Sequence, residues 1–344
     1  MTTGWKRPSG APLRVVVALA SMLGAAAAGA APPQLGLPLA CTPNRDCWIA
    51  NHVDLDPGPG ARDYRCGSLT YDAHNGTDFA IRDLAAMREG VTVIAAAAGR
   101  VRAVRDGVGD VNVRGSGKAA VAGRECGNGV VIAHEDGWET QYCHMRRGSV
   151  LVKAGEEVAA GQALGLVGLS GLTEYPHLHL SVRHEGSTID PFRGEGSAAP
   201  CTPAAPLWRA DIAAQLPYAP GVVYNAGFSP DPPDAAAVGA GTYRKAVIAA
   251  SSAVLGFYAE VFAVLPGDVL ELRVGGPDSA NLATQRFTIA QRQARRFAYI
   301  GLRRPAAGWT PGTYLGEARL LRADGGSSPA SLLAVETRID SGAR

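Results

Sequence analysis

The chain has 344 residues, 47% of them hydrophobic and 19% charged, with 33 basic against 31 acidic side chains and a formal net charge of +2. That composition is globular and long enough for two domains. The near-neutral balance excludes the broad basic footprint of a nucleic-acid binder or of a protein held to anionic membranes by charge.

The N-terminus carries Lys6, Arg7 and Arg14, then an apolar run from Val15 to Ala28 and the small-residue triplet Ala28-Gly29-Ala30. This pattern predicts a signal peptide over residues 1–30, cleaved after Ala30, and hence export to the periplasm or the extracellular space. The run is too short and too rich in alanine for a spanning helix, so no stable membrane insertion is expected after cleavage. Cleavage removes three cations and no anions, moving the formal charge from +2 to −1. An acylated Cys41 is not expected, because Pro38 stands where the lipid-attachment signal needs a bulky aliphatic residue.

Residues 31–65 are rich in Pro, Asp and Gly and read as an N-terminal arm with little regular structure, packed on the domain that follows. Six cysteines in an exported chain read as disulfides. Cys126 and Cys143 flank a predicted hairpin (130–134, turn 135–137, 138–144), so a bridge between them is expected. Cys41, Cys47, Cys66 and Cys201 must then pair among themselves in an order the sequence does not give, with Cys47–Cys66 and Cys41–Cys201 as the first expectation. Residues 66–192 are strand-dominated, with glycine turns every eight to twelve residues and no long helical period. Arg105–Glu125 is a polar insertion between two strands, readable as a specificity wall or as a solvated hairpin extension.

Within this region lie the residues that carry chemistry: His74-Asn75-Gly76-Thr77-Asp78, Tyr142-Cys143-His144, and His177-Leu178-His179. On a strand, alternate residues such as His177 and His179 share a face about 6.5–7 Å apart. That spacing suits one metal ligand and one neighbour beside it. His74 and Asp78 would be stretched roughly 13 Å apart in an extended strand, against metal–ligand bonds of about 2.0–2.2 Å. Gly76 is expected to take up the bend. Two nitrogens and one oxygen leave a fourth position for water, the pattern of a catalytic zinc site.

In this order the motifs resemble those of the lysostaphin-type (β-lytic, LytM-like) zinc peptidases. The resemblance covers about residues 66–192 and extends to Gly129-Val130-Val131-Ile132-Ala133-His134 and to Val152-Lys153-Ala154-Gly155. It implies an antiparallel β-sheet peptidase domain similar to a duplicated hybrid motif. It also implies a metalloendopeptidase (a murein hydrolase) that cuts peptide cross-links of peptidoglycan with a metal-activated water, its substrate being the peptide stems. By resemblance, His74, Asp78 and His179 would hold one Zn2+ per domain, and His144 and His177 would flank it as acid/base and oxyanion-stabilising groups. Both histidines stand as candidate bases, with His177 favoured for its closeness to His179. A second reading is an inactive, wall-binding relative that activates another hydrolase; retention of all five groups favours the enzyme.

Competing motifs fail on single positions. His134-Glu135 and His184-Glu185 begin like a helical zinc-peptidase motif, but Trp138 and Thr188 occupy their fifth positions. Gly168-Leu169-Ser170-Gly171-Leu172 lacks the last glycine of a serine elbow. Asp54, Asp56 and Gly58 hint at a calcium loop, yet Arg65 stands where a bidentate glutamate belongs. Cys143 beside His144 is set aside as a nucleophile, because the zinc set is complete without it. His52, His134 and His184 receive structural roles. Glu174 and Tyr175, just ahead of His177, are expected to narrow or polarise the groove.

Residues 193–207 read as a linker. Residues 208–342 read as a second domain, an immunoglobulin-like β-sandwich, from alternating strands such as Leu255, Phe257, Ala259 and Val261. No histidine follows His184, so no chemistry is expected there. This half reads equally as a docking module for a wall glycan or a protein partner, with Trp208, Tyr218, Tyr224 and Trp309 as candidates, or as a stabilising appendage.

Overall fold

Antiparallel strands account for most of the regular structure in the computed structural model, which describes residues 1–4, 31–196, 201–322 and 330–340. The apolar run expected to be the signal lies outside the described residues. Among the described residues no helix is long and apolar enough to cross a membrane. All the named strands fall in the unit Pro32–Arg344.

The first part of the chain supplies β1 (Cys47–Asn51), β2 (Thr77–Ile81), β3 (Thr92–Ile94), β4 (Gly99–Arg105), β5 (Asn128–Ala133), β6 (Trp138–Met145), β7 (Glu157–Val158), β8 (Ala163–Leu166), β9 (His177–His184) and β10 (Ser187–Ile189). The main sheet runs β1-β2-β9-β6-β5-β4-β7, with β10 also paired to β9; β3 and β8 pair separately. Strand β9 shows why it lies at the centre. Leu178, Leu180 and Val182 project into the core and are wholly buried. His177, His179 and Ser181 alternate with them and share the opposite face. On β2, Phe79 and Ile81 join the same core, leaving Asp78 and Ala80 beside the histidines.

Within residues 31–65, Cys47–Asn51 is the edge strand of the main sheet, and Leu35 and Leu39 are fully built into its core. The hydrophobic pattern of this short strand is masked by the prolines and aspartates around it. The disulfides pair differently from expectation. Cys41 joins Cys47 and Cys66 joins Cys201, rather than Cys47–Cys66 and Cys41–Cys201. A tight turn, with Asn44 N–H donating to Cys47 C=O at 2.8 Å, brings Cys41 and Cys47 together. The Cys126–Cys143 bridge is present.

The segment read as a linker is likewise tied down, by Cys66–Cys201 and by the Gly194–Ala205 bridge. Its last residue Leu207, and Trp208, Ile212 and Leu216 beyond it, pack into the first core, not into a second one. The C-terminal strands are β11 (Val222–Ser229), β12 (Val254–Val264), β13 (Val269–Gly276), β14 (Ser279–Thr288), β15 (Gln293–Arg303), β16 (Gly312–Leu321) and β17 (Ser331–Ile339). They form a three-stranded sheet, β11-β12-β15, and a four-stranded sheet, β14-β13-β16-β17. Leu255, Phe257, Ala259 and Val261 from one and Leu270, Leu272 and Val274 from the other share a core. The opposite face of β12, with Tyr258, Glu260 and Phe262, is buried too. A third, small cluster explains this: Trp48, Ala50 and Ala80 pack against Tyr224 and Phe262.

Candidate metal centre

The site is a row drawn across four neighbouring strands. Asn51 pairs with Asp78, Asp78 with His179, and Cys143 with His179, so β1, β2, β9 and β6 each present one position to the same patch. Facing residues on paired strands bring their Cβ atoms to roughly 4.5–5.5 Å, close enough for side chains to meet. His74 arrives from the loop before β2. That loop is shaped by Asp54, whose carboxylate accepts from the N–H groups of Asp56, Arg62 and Ala73; the Asp54 N–H in turn donates to the His74 carbonyl. The acidic residues that hinted at a calcium loop therefore hold the backbone beside His74. Gly76 does sit at a bend, but its backbone stays out of the left-handed region. It is small for another reason: a Cβ there would run into the His179 ring and the Leu180 carbonyl.

His74, Asp78 and His179 are all buried, and each offers one donor atom. His74 Nε2 lies 3.2 Å from Asp78 Oδ1 and 3.1 Å from His179 Nδ1, and His179 Nδ1 lies 2.9 Å from Asp78 Oδ1. Two ligands of a tetrahedral zinc with bonds of about 2.0–2.1 Å stand roughly 3.3 Å apart, so the three atoms already have nearly the required spacing. Their outer contacts fit the same purpose. His74 Nδ1–H donates to the His52 carbonyl at 2.6 Å, and a carbonyl can only accept, so Nε2 keeps its lone pair for the centre. Asn51 Nδ2 donates to Asp78 Oδ2 at 2.9 Å, leaving Oδ1 inward. His179 Nε2 sits 3.2 Å from Asn75 Oδ1 and 3.0 Å from Ser181 Oγ, leaving Nδ1 inward. Outer-shell partners of this kind fix the tautomer and orientation of metal ligands. The residues present thus fit a single zinc ion.

Two further imidazoles face this group. His177 Nδ1–H donates to the Tyr175 carbonyl at 2.9 Å, and its Nε2 reaches 3.4 Å from Asp78 Oδ1. His144 Nδ1–H donates to the Ser170 carbonyl at 2.8 Å, and its ring centre lies 4.7 Å from that of His177. His144 should alternate into the core after Cys143, but its φ of +62° turns the side chain onto the face of the site. This backbone strain is held by two hydrogen bonds, from His144 N–H to Cys126 C=O and from Gly168 N–H to His144 C=O, and by the neighbouring disulfide. Strain retained in this way is characteristic of functional positions.

Burial disfavours a charged Asp78, yet the adjacent His74 and His177 outweigh it and hold its carboxyl well below the usual range. Burial pushes His144 well below an ordinary imidazole, helped by His177 and His179. Burial also lowers His179. Both therefore stay neutral near pH 7, as a ligand or base requires.

The five residues singled out in the sequence converge on one patch; the others do not. His134 bonds to the Ala98 carbonyl and Thr140 hydroxyl, and His184 stacks on Trp138 and pairs with Glu195. His52, which sequence spacing left without a partner, is buried among Tyr64, Phe192 and Tyr218 and supplies the carbonyl that orients His74. Sequence reasoning does not find Asn51, Asn75, Ser181 or Ser170. Trp208, Tyr224 and Trp309 are buried, which removes them as glycan-docking aromatics.

Residues 72–191 match the sequence pattern of Peptidase family M23, spanning all five of these residues. The chain carries a peptidase family M23 domain. Relatives of this M23 domain include the cell division protein DipM of Caulobacter vibrioides, 38% identical over 77 residues (22% of this chain, 12% of that protein). The peptidoglycan DD-endopeptidase ShyB of Vibrio cholerae is 34% identical over 83 residues (24% of this chain, 19% of that protein). The chain thus spans less than a fifth of the length of these two relatives. Among solved structures, the catalytic domain of the M23 protein EnpA from Enterococcus faecalis is 24% identical, covering 46% of this chain and 94% of that one at a TM-score of 0.30.

Proposed function

We propose that the protein is an exported, zinc-dependent endopeptidase that hydrolyses peptide cross-links of peptidoglycan. The observation that carries this reading is the convergence of three inward donors, each turned by its own outer hydrogen bond, beside two imidazoles anchored through Nδ1. The endopeptidases among the M23 relatives support the substrate class.

A zinc ion in this site supplies a Lewis acid and lowers the pKa of water. The chain's own residues do the rest. His74, Asp78 and His179 hold the ion. His177, with Nδ1–H fixed on Tyr175 C=O, presents Nε2 to accept the proton of the attacking water and then return it to the leaving amine. His144, neutral and held by Ser170 C=O, presents the second Nε2 as the alternative acceptor of that same proton. The insertion Arg105–Glu125 forms a wall of the groove. It is clamped to the loop ahead of His177 by Asn112 Nδ2 donating to Glu174 C=O at 2.6 Å and by the Arg114–Glu174 ion pair.

The test is elemental analysis of the purified protein followed by digestion of sacculi and mass spectrometry of the released fragments. One zinc per chain and release of cleaved cross-linked stems are expected. Absence of a bound transition metal, with no gain on adding zinc, would sink the reading.

A further inference from the structure

We propose that the C-terminal sheets act as a positioning element for the catalytic centre: Arg295 and Phe262 fix the ring of Tyr175, and Tyr175 orients His177. The proposal rests on the assignment of His177 made above.

Tyr175 is the point where three parts of the molecule meet. Its ring lies against His177, with centres 4.7 Å apart and planes tilted by 30°, while its carbonyl accepts from His177 Nδ1–H. Its hydroxyl stands 3.4 Å from Asn51 Nδ2, the group that donates to Asp78. From the C-terminal part, the Phe262 ring lies 5.7 Å away and the Arg295 guanidinium 5.7 Å from the ring centre. Phe262 is in turn stacked on Tyr224 at 3.9 Å, within the small apolar cluster completed by Trp48 of β1.

A single hydrogen bond from Nδ1 leaves an imidazole free to rock about the bond to Cβ. A flat ring packed on its face removes that freedom. The charges point the same way. Glu260 is buried, is paired with Arg295 at 2.6 Å and accepts a hydrogen bond from Asn225 Nδ2 at 2.9 Å. Such pairs contribute little net stability, because desolvation offsets their attraction. What this one does provide is a fixed location for a cation over the π-face of Tyr175. A detachable binding module would need none of this.

The experiment compares the full-length, zinc-loaded protein with Arg295→Met, Phe262→Ala, Tyr175→Ala and Tyr175→Phe. Zinc content, the 1H–13C NMR signal of the His177 ring, and kcat and KM on a cross-linked muropeptide are measured. Arg295→Met and Tyr175→Ala are expected to keep one zinc. Both should shift the His177 signal, which senses the ring current of Tyr175, and lower kcat by about tenfold to a hundredfold with little change in KM. Tyr175→Phe should restore most of the turnover, and adding Arg295→Met to Tyr175→Ala should cause no further loss. Unchanged His177 resonances and kcat in a folded Arg295→Met protein would overturn the proposal. If Phe262→Ala does not fold, Phe262→Leu replaces it, with the same expectations. A wild-type protein inert on muropeptides would instead refute the proposed activity, and the NMR shift would still decide the positioning role.

Discussion

Asp78 touches both other proposed ligands, His177, and the Asn51 amide that holds its outer oxygen. Replacing His74, Asp78 or His179 with Ala is therefore expected to abolish zinc binding and activity together, as read by metal analysis and turnover. His144→Ala and His177→Ala should keep the ion and lose about 10²- to 10⁴-fold in kcat, the usual range for a positioned acid or base. Gly76→Ala offers a subtler test. The new methyl presses on the His179 ring, so zinc affinity should drop by about 10- to 100-fold, as for other disturbances of ligand orientation, without loss of fold. Competitive chelator titration measures it. At this scale the sequence was readable where chemistry is concentrated in short motifs. Ser181 was within reach too, since it follows His179 by two on a strand and so shares its face. Asn51 bears no such mark: it reaches Asp78 only through strand pairing across 27 positions.

The elements explain what the motifs leave open. Alternation on β9 and the hairpin of β5 and β6 follow from the apolar pattern, whereas β1, five residues long and set among prolines and aspartates, does not announce itself. The disulfides split along the same line. Cys126–Cys143 closes a hairpin visible in the sequence; the other two depend on a turn and a chain crossing that only tertiary packing defines. The hairpin bridge borders His144 and its left-handed backbone. Replacing both cysteines with Ser is expected to cost about 3 kcal/mol, as for a closed loop of this length. It should lower kcat further than it lowers zinc content. Denaturant titration and single-substrate kinetics separate the two effects.

For the molecule as a whole, one buried acid sets an expected dependence on pH. Burial raises Asp190 to about 6, and the nearby Asp63 adds to the effect, while hydrogen bonds from the Phe192 and Arg193 N–H groups oppose it. Because the folded state binds this proton more tightly than the unfolded one, the contribution to stability is complete below about pH 3.8, the unfolded value. It is lost as pH rises through 6, by up to about 3 kcal/mol. Asp190→Asn should remove that slope from denaturation midpoints measured between pH 4 and 7, and a slope unchanged in the variant would contradict the assignment. The division of the chain was less legible than its chemistry. Trp208, Ile212 and Leu216 have the apolarity of any domain's opening residues, and only packing assigns them to the first core.

The donor row across β1, β2, β9 and β6 has a thermodynamic corollary. Its members come from segments more than a hundred residues apart, so an unfolded chain has no comparable high-affinity site, and loading and folding are one linked equilibrium. Added zinc should raise the melting temperature in proportion to the logarithm of its free concentration, and chelation should lower it. An unfolded chain would on this logic hold no assembled centre, which comes into being only when the last of these strands has docked.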